Sequence, residues 1–431
     1  MGGRTAAALL VLGMGLATAP PVQAAPAPPV PGSYAYDPGA RTVAAAQGTG
    51  EAAGLAPGRS YRSTLTGRGP VYFRLDLDGS SNAYVSATAV PPGDAEVSAS
   101  DGLKVSVQDA DGRACSYDTQ LFGASRSPRP VTAWGARETG TSGRSACRGA
   151  GAYYVVVERA GRSAATASSP QPWALELTAA TEPPLARPGP TDAPTAWNSA
   201  SAAPPSGTPA SRPAGAGFAT APLVGEGVWQ TAVRPGQSLY YKVPVEWGQR
   251  LSAGAELGST AERGGYTVGA LELALFNPVR GHVTDVGVGY DGAQKSAALP
   301  PVPPVAYRNR YSVRDTVGAM RFAGSYYLVV HLAARVADRL GPGALPLTLR
   351  VRVDGEPQAG PDYAGRPSPG DVFGATGGAG GGGTSGDPVL RAVAVAGIGT
   401  GTLLLAVLGG WTVLARRRAG QTRASAQNPT A

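Results

Sequence analysis

One seven-residue stretch occurs twice in this chain of 431 residues. Gly151–Val157 reads Gly-Ala-Tyr-Tyr-Val-Val-Val, and Gly324–Val330 reads Gly-Ser-Tyr-Tyr-Leu-Val-Val. Each copy has β-branched and aromatic residues on both faces, which is typical of a strand buried in the middle of a sheet. Two such strands predict two β-sandwich domains. The motif residues for which we expect structural roles are Gly151, Tyr153, Tyr154, Gly324, Tyr326 and Tyr327.

The repeat extends beyond this strand. Three further segments recur in the same order, and the offset drifts only between 168 and 173 residues along the chain. They are Val71–Leu75 with Leu239–Val243, Val105–Asp109 with Leu273–Asn277, and Trp173–Leu177 with Leu345–Leu349. A preserved order with small drift indicates a tandem duplication of a whole domain. We therefore predict an all-β fold with two tandem antiparallel β-sandwich, jelly-roll-like domains, at residues 51–180 and 218–355.

Charge argues against a nucleic-acid partner, although the sequence pI is about 9.6. Six of the 37 basic residues lie in terminal segments that contain no acidic residue, which leaves 31 basic and 29 acidic residues over 25–388. A body so close to neutral lacks the basic surface that binds a phosphate backbone. The 62 glycines and 40 prolines favour turns and linkers over helices.

The N-terminus has the pattern of a secretory signal peptide over residues 1–24. A basic start at Arg4 precedes a short apolar run, and Val22 and Ala24 supply small residues at a cleavage site. We predict cleavage after Ala24, with Ala25 as the alternative. Composition predicts a disordered leader over 25–50, a Pro- and Ala-rich linker over 181–217 and a Gly- and Pro-rich stalk over 356–391.

The C-terminus has the pattern of a membrane anchor. Ala392 to Ala415 gives 24 residues without a charge. At ~1.5 Å per residue such a helix is about 36 Å long, enough to cross a bilayer. The basic residues Arg416, Arg417 and Arg418 follow and begin a cytoplasmic tail over 416–431. We therefore expect a type I single-pass protein of the cell membrane with the bulk of the chain extracytoplasmic and the lipid bilayer as one partner. A buried helix is the alternative.

The only two cysteines are Cys115 and Cys147. In a secreted chain an even pair predicts a disulfide, with a free or intermolecular thiol as the alternative. The bond would close a loop of 32 positions, which corresponds to about 3–4 kcal/mol in the loop-entropy estimate. Domain two has no cysteine and must rely on its core.

The sequence contains no recognisable catalytic motif, and we predict no catalytic residue, cofactor or metal site. His331 replaces Glu158 of the other copy and His282 follows a turn, so we expect both histidines to be exposed. Neither has a partner at the spacing of a zinc site. Asp109 and Asp111 precede Gly112 and predict an Asp-Gly turn, with a loose calcium site as the alternative.

The order of these motifs is similar to that of the bacterial pre-peptidase C-terminal domain. Each copy has an early aromatic pair (Tyr72-Phe73 or Tyr240-Tyr241), a strand that ends in an Asp or Asn turn, and the late Gly-x-Tyr-Tyr motif. The resemblance covers about 60% of the chain and implies a small antiparallel β-sandwich. Such domains usually accompany a secreted protease, and some relatives bind collagen or calcium. This chain has no protease domain and no acidic cluster that matches the calcium-binding relatives.

Three classes of function follow from these expectations. The first is a non-catalytic, membrane-anchored protein that presents two sandwiches for protein–protein interaction, in an adhesion or accessory role. The second is a module that binds a cell-wall polymer or other polysaccharide, with Trp134, Trp197 or Trp247 as stacking platforms. The third is an enzyme of unrecognised type.

Overall fold

The computed structural model describes residues 33–374, apart from positions 68, 141–146, 162–170, 195 and 262–263. The predicted signal peptide (1–24), transmembrane helix (392–415) and cytoplasmic tail (416–431) lie outside the described residues. Over the described ranges, no helix combines the length and the apolar composition that a membrane span requires.

The first domain is a sandwich of two five-stranded sheets. Sheet I has the strand order β1-β3-β10-β5-β8 and sheet II the order β2-β4-β9-β6-β7. Their inward side chains form one core, in which the alternate residues of β4 (Val71, Phe73 and Leu75) are buried. The strands are β1 (Arg41–Thr42), β2 (Ala53–Gly54), β3 (Ser60–Leu65), β4 (Val71–Leu77), β5 (Asn82–Val90), β6 (Gly102–Gln108), β7 (Ala114–Leu121), β8 (Val131–Arg137), β9 (Gly151–Ala160) and β10 (Trp173–Glu182).

The second domain has the same organisation. Sheet III has the order β13-β18-β15-β16 and sheet IV the order β11-β12-β19-β14-β17. Short helices α1 (Asp315–Ala319) and α2 (Ala337–Leu340) lie in its connections, with a 3₁₀ turn at Tyr307–Tyr311. The strands are β11 (Ala210–Ser211), β12 (Gly227–Val233), β13 (Ser238–Val245), β14 (Arg250–Leu257), β15 (Thr267–Phe276), β16 (His282–Tyr290), β17 (Lys295–Ala298), β18 (Gly324–Leu332) and β19 (Leu345–Asp354).

Strand pairing supports the duplication residue by residue. Val71 lies opposite Val157 in sheet II, and Leu239 lies opposite Val330 in sheet III. The offsets of these pairs are the 168 and 173 residues of the sequence repeat. Because a one-residue slip would turn every inward side chain outward, the shared register keeps the same faces buried in both copies. The prediction of an all-β fold built from antiparallel sheets is confirmed, and the shared register agrees with the predicted tandem arrangement.

Both repeats begin earlier than the sequence analysis placed them. β1 pairs in parallel with β3, and β11 pairs in parallel with β12. Ala46 and Gly215 form equivalent antiparallel bridges to Tyr72 and Tyr240. The predicted leader therefore contains β1, and the predicted linker contains β11. Both strands belong to the sandwiches. A strand of two residues is too short to show an alternation of buried and exposed side chains. The Pro- and Gly-rich composition of these segments therefore predicted a leader and a linker instead of strands.

The glycine that opens each repeated strand is required by its backbone. Gly151 has φ of 145° and Gly324 has φ of 141°, which side-chain-bearing residues rarely adopt. A Cβ on Gly324 would also lie 2.5 Å from the carbonyl oxygen of Val372. Each glycine leads into a central strand, since β9 lies between β4 and β6, and β18 lies between β13 and β15. The prediction of two central strands is confirmed.

The paired tyrosines divide between the two faces of each strand. Tyr153 and Tyr326 point into the cores and are buried, and each hydroxyl donates to the carbonyl oxygen four residues earlier, at 2.7 and 2.8 Å respectively. Tyr154 and Tyr327 point outward and are half-buried. The inward pair satisfies its polar groups within the sandwich, as buried tyrosines require.

The predicted disulfide is present and ties β7 to the segment before β9. Cys115 and Cys147 are joined with a Cα–Cα distance of 5.7 Å, inside the usual range. The equivalent positions of domain two hold Val283 and Met320, and both are buried in its core. One copy therefore has a covalent link where the other has apolar side chains.

The two sandwiches stack face to face. The outer face of sheet I packs on the outer face of sheet III, and we call this contact the domain seam. Two apolar clusters cross it, and the rings of Tyr84 and Phe322 lie 4.9 Å apart, edge to face. The sheets therefore form four layers in the order II, I, III and IV.

Segments predicted as linker and stalk also pack against the sandwiches. Leu185 forms a bridge with Tyr363, and Thr181 forms one with Ser368. Phe373 is buried at the seam, with its ring 6.0 Å from that of Tyr84. The described residues of the predicted stalk (356–374) thus contribute to the two-domain body.

Candidate binding groove at the domain seam

Two glutamates of β10 point away from their own core and into the seam. Glu176 and Glu182 have no exposed surface. A carboxylate held away from water needs paired charge and several hydrogen bonds to remain ionised. Both glutamates have them, and both take them from the second domain and from segments that cross the seam.

Glu182 accepts five hydrogen bonds from four side chains. Arg310 of the 3₁₀ turn binds it bidentately, at 2.9 and 2.7 Å. The Nδ2 of Asn82 donates at 3.0 Å, and the hydroxyls of Tyr84 and Tyr363 donate at 2.8 and 2.7 Å. Burial alone would raise the pKa of Glu182, but the charge and hydrogen bonds of Arg310 outweigh it and lower the pKa to about 2. This one carboxylate joins domain one, domain two and the segment after it.

Glu176 joins the N-terminal segment to the same seam. It forms an ion pair with Arg280, and it accepts hydrogen bonds from the Tyr34 hydroxyl at 3.2 Å and the Asp37 amide at 2.9 Å. The guanidinium of Arg280 also lies 4.9 Å from the ring centre of Phe218. Arg280 has φ of 61° in the turn between β15 and β16, a left-handed conformation that is uncommon for arginine.

His331 is buried in the seam, so the prediction that it is solvent-facing is wrong. Its Nδ1 lies 3.0 Å from the Ser238 hydroxyl and its Nε2 lies 3.0 Å from the Ser127 hydroxyl of domain one. Burial, with the nearby charge of Arg129, lowers the pKa of His331 to about 3, so it is neutral at neutral pH. The exchange of Glu158 for histidine between the copies marks a change of environment and not a common solvent face.

Two further ion pairs cross the seam among the described residues. Arg129 lies 2.7 Å from Glu272, and Arg321 pairs with Glu138. Buried ion pairs add little net stability, but removing one partner leaves a costly uncompensated charge. Any arrangement of the two sandwiches that separates one of these ion pairs is therefore disfavoured. The ion pairs thus fix the position of one sandwich on the other.

A groove follows the seam between the edges of β7 and β16. Its inner chamber, next to the loop after β7, has a volume of about 390 Å³, and its outer chamber, next to α1, about 660 Å³. Gln120, His282 and Asp285 line both chambers, so the two adjoin. Pockets of this size between domains are typical places for ligands. We call this cavity the seam groove.

An exposed tyrosine of domain two faces the seam groove. Tyr266 lines the inner chamber and is 61% exposed. A Cβ on Gly289 would lie 2.1 Å from the Tyr266 ring, so the ring rests on the bare backbone of β16. Tyr117, which is 64% exposed, borders the outer chamber, but it pairs with Ser106 and its ring lies 5.9 Å from Lys104 Nζ on the outer face of sheet II. The sequence analysis did not select Tyr266, because nothing in the local pattern indicated that two domains meet beside it.

The middle of the groove carries the second histidine and two carboxylates. His282 Nε2 lies 3.1 Å from Asp285 Oδ1, and this contact lowers the pKa of Asp285. The His282 side chain is only 20% exposed, so the prediction of an exposed residue holds in part. Burial raises the pKa of Asp118, which accepts hydrogen bonds from Gln120 Nε2 at 3.1 Å and the Trp134 amide at 3.3 Å.

The tryptophans proposed as stacking platforms are used differently. Trp134 lines the outer chamber, but Tyr84 stacks on it at 6.1 Å and the guanidinium of Arg321 lies 5.2 Å from it. Trp247 is buried, and a Cβ on Gly360 would lie 2.4 Å from its indole nitrogen. Trp197 is half-buried in the linker. Trp134 and Trp247 therefore serve packing, and the exposed aromatic surface of the groove is tyrosine.

The aspartates that resemble a calcium loop bind backbone amides. Asp109 Oδ1 accepts hydrogen bonds from the amides of Asp111 and Arg113, at 3.0 and 2.8 Å, which confirms the predicted turn. Asp78 accepts from the amides of Ser80 and Ser81, and these bonds lower its pKa to about 2. Within the described ranges, no group of three or more His, Cys, Asp or Glu side chains has the arrangement of a metal site.

Comparisons with known proteins found similarity to solved structures, but not to a family model or a curated protein. No family model matches the chain, and no curated protein matches it. Similar solved structures include the tandem CBM22-1–CBM22-2 domains of Paenibacillus barcinonensis Xyn10C, at 10% identity and a TM-score of 0.18 over 72% of this chain and 95% of that one. The CUB1-EGF-CUB2 region of human MASP-1/3 has 7% identity and a TM-score of 0.17 over 68% of this chain and 99% of that one.

A third similar structure, tripeptidyl peptidase 2, has 6% identity and a TM-score of 0.18 over 67% of this chain, which spans only 22% of that one. At such TM-scores these likenesses carry no argument about fold or function. The resemblance to pre-peptidase C-terminal domains stays a prediction.

Proposed function

We propose that this protein is a non-catalytic binding protein of the cell surface, anchored as a type I single-pass membrane protein, with an extracytoplasmic protein as its partner. The observation that carries the proposal is the ion-paired seam, which makes one rigid body of two sandwiches. A rigid body loses little conformational entropy on association, which favours binding. The signal-peptide and anchor patterns of the sequence support the location.

The outer face of sheet II is the surface that we assign to the protein partner. Its structural equivalent in domain two, the outer face of sheet III, is already a protein-binding surface because it holds domain one. Tyr72 and Tyr154 are retained there in the positions of Tyr240 and Tyr327. Tyrosine is enriched in protein interfaces, and here it is accompanied by charged residues such as Arg74.

Site-specific photocrosslinking in intact cells tests this assignment. A photoreactive residue replaces Arg74 on the open face of sheet II, and the matched control replaces Arg352 on the outer face of sheet IV. The two arginines are alike, because each forms a short ion pair with the aspartate two residues further on, Asp76 or Asp354. We expect a protein adduct from position 74 and none from position 352. Adducts of equal yield at both positions would contradict the assignment.

A polysaccharide ligand is the second candidate. It is favoured by one observation, the exposed Tyr266 in the inner chamber of the seam groove, a chamber that neither Arg74 nor Tyr154 lines.

A further inference from the structure

The seam groove has the form of a site for an extended ligand. Its two chambers share Gln120, His282 and Asp285 and together run along the junction of the domains. Both sandwiches contribute walls, so the groove exists only because the seam is fixed. A ligand that enters its inner chamber would contact the exposed Tyr266.

Tyr266 presents the face of its ring to the inner chamber. Tyr266 rests on Gly289, where any side chain would collide with the ring, and its remaining surface is open to the inner chamber. Leu121 and Val268 stand beside it and are 43% and 59% exposed. The C–H faces of a pyranose ring pack on aromatic and aliphatic surface of this kind, while its hydroxyls remain at the rim for hydrogen bonding.

The residues that line both chambers supply hydrogen-bonding groups. The Asp285 side chain is 50% exposed, and His282 holds one of its oxygens, which leaves acceptor capacity towards the groove. Gln120 is oriented by its bond to Asp118. A carboxylate and an amide at the centre suit a ligand that carries many hydroxyl donors and acceptors.

The charge of the lining argues against an anionic ligand. Arg129, Arg310 and Arg321 are the arginines that line the described chambers, and each is in an ion pair with a glutamate. Their guanidinium groups are therefore committed to the seam. The carboxylates of Asp118 and Asp285 add negative charge, so the groove suits a neutral chain.

The edge of β8 argues against an extended peptide. A peptide that adds a strand needs free backbone donors at a sheet edge. The amide of Trp134 donates to Asp118, and the amide of Ala136 donates to the Ser116 hydroxyl. Side chains of β7 thus occupy these donors of the edge nearest the outer chamber.

We infer that the seam groove binds a segment of a neutral, linear glycan, with a sugar ring stacked on Tyr266 and hydroxyls hydrogen-bonded to Asp285 and Gln120. This inference rests on the proposed binding function and specifies a ligand class for it. It does not depend on the protein partner assigned to sheet II, so the two can fail separately.

The test uses the full chain in detergent micelles and a set of soluble oligosaccharides. The neutral probes are cello-, xylo-, manno- and acetylated chito-oligosaccharides, and the anionic probes are oligogalacturonates. We expect at least one neutral probe to bind by titration calorimetry and the anionic probes to bind more weakly. Binding of none of the neutral probes, or tighter binding of the anionic ones, would overturn the inference.

Variants then locate the site. Tyr266→Ala should weaken binding of the neutral probe about tenfold, as loss of a stacking ring does elsewhere. Tyr266→Phe should retain it, because the ring remains, and Asp285→Asn should weaken it through loss of the charged acceptor. The control Leu223→Ala removes a 48% exposed apolar residue outside the groove and should have no effect. Wild-type affinity in Tyr266→Ala, with photocrosslinking at position 74 intact, would reject the groove and leave the protein-binding proposal in place.

Discussion

Two equivalent sheet faces of this molecule have opposite surroundings. The outer face of sheet II in domain one is open, whereas the outer face of sheet III in domain two is covered by domain one. The backbones and registers match, but four outward positions differ in character. Written first for domain one, the differing pairs are Lys104 and Glu272, Ser106 and Ala274, Gln108 and Phe276, and Glu158 and His331.

The comparison shows that the inward residues determine the sandwich fold, whereas the outward residues determine whether a sheet face is covered. The inward residues preserve the sandwich in both copies. Three of these outward residues of β15 and β18 (Ala274, Phe276 and His331) are apolar or neutral, and the fourth, Glu272, is paired with Arg129 of domain one. A duplicated domain thus provides its own control, since each of these interface residues has a counterpart on a sheet face that the other domain does not cover.

The largest effect is expected for the buried charge at the centre of the seam. Glu182→Gln removes the negative partner of Arg310 and leaves a guanidinium that is 2% exposed without a counter-ion. We expect a loss of about 3–5 kcal/mol in the free energy of unfolding. Chemical denaturation of the purified chain measures it. A loss below about 1 kcal/mol would mean that water reaches this ion pair, and the seam would not be dry.

The second prediction concerns a substitution that makes the covered face of sheet III more like the open face of sheet II. Phe276→Gln introduces the residue of domain one at a position where the Phe276 ring lies 5.5 Å from Phe218. We expect a loss of about 2–4 kcal/mol, because aromatic burial is lost and an amide is left in an apolar cluster. Hydrogen exchange should increase first in β10 and β18, at the seam.

The reciprocal change is the matched control. Gln108→Phe adds the aromatic ring to the open face and should change the free energy of unfolding by no more than about 0.5 kcal/mol. Equal losses from the two substitutions would show that position 276 acts through its own sandwich and not through the seam.

The third prediction concerns pH. The pKa of His331 is about 3 in the folded chain and 6.5 in an unfolded one. The unfolded state therefore binds the proton first as the pH falls, so the stability from neutral His331 is complete above pH 6.5 and is lost below it. Its own contribution to the slope should approach about 1.4 kcal/mol per pH unit.

Glu182 titrates in a lower window, which separates the two groups. Its pKa falls from 4.5 to about 2 on folding, so its stabilisation is lost only below pH 4.5. Denaturation curves between pH 6.5 and 4.5 should therefore show a slope that His331→Gln reduces. An unchanged slope in that variant would assign the proton uptake to other groups.

Sequence could predict the sandwiches but not the seam, and the reason is physical. Tyr153, Leu175 and Val155 belong to alternating patterns that any buried sheet face produces, so local periodicity was enough. Glu176 and Glu182 follow the same alternation as polar residues, and a polar outward position normally indicates solvent. Their partners lie more than 100 residues away in the chain, and no local pattern connects them.

One signal for the seam was nevertheless present in the repeat. Where Glu176 stands in domain one, domain two has Thr348, and where Glu158 stands, it has His331. A duplication whose copies shared one environment would conserve the character of outward positions. The short strands β1 and β11 were missed for another reason, because two residues in a Pro- and Gly-rich segment show no period.

Among the charge-removing substitutions, the smaller effect is expected at an ion pair on the open face. Lys104 and Glu158 are 2.7 Å apart, with side chains 40% and 34% exposed, so water solvates both charges. Glu158→Gln should lower the free energy of unfolding by no more than about 1 kcal/mol, and added salt should reduce the effect further. Glu182→Gln removes the same charge from a side chain that has no exposed surface. Denaturation of both variants at low and high salt therefore compares one substitution in two surroundings. A cost at Glu158 as large as that at Glu182 would show that the open face is covered in the isolated chain, and that the two faces do not differ as the structure implies.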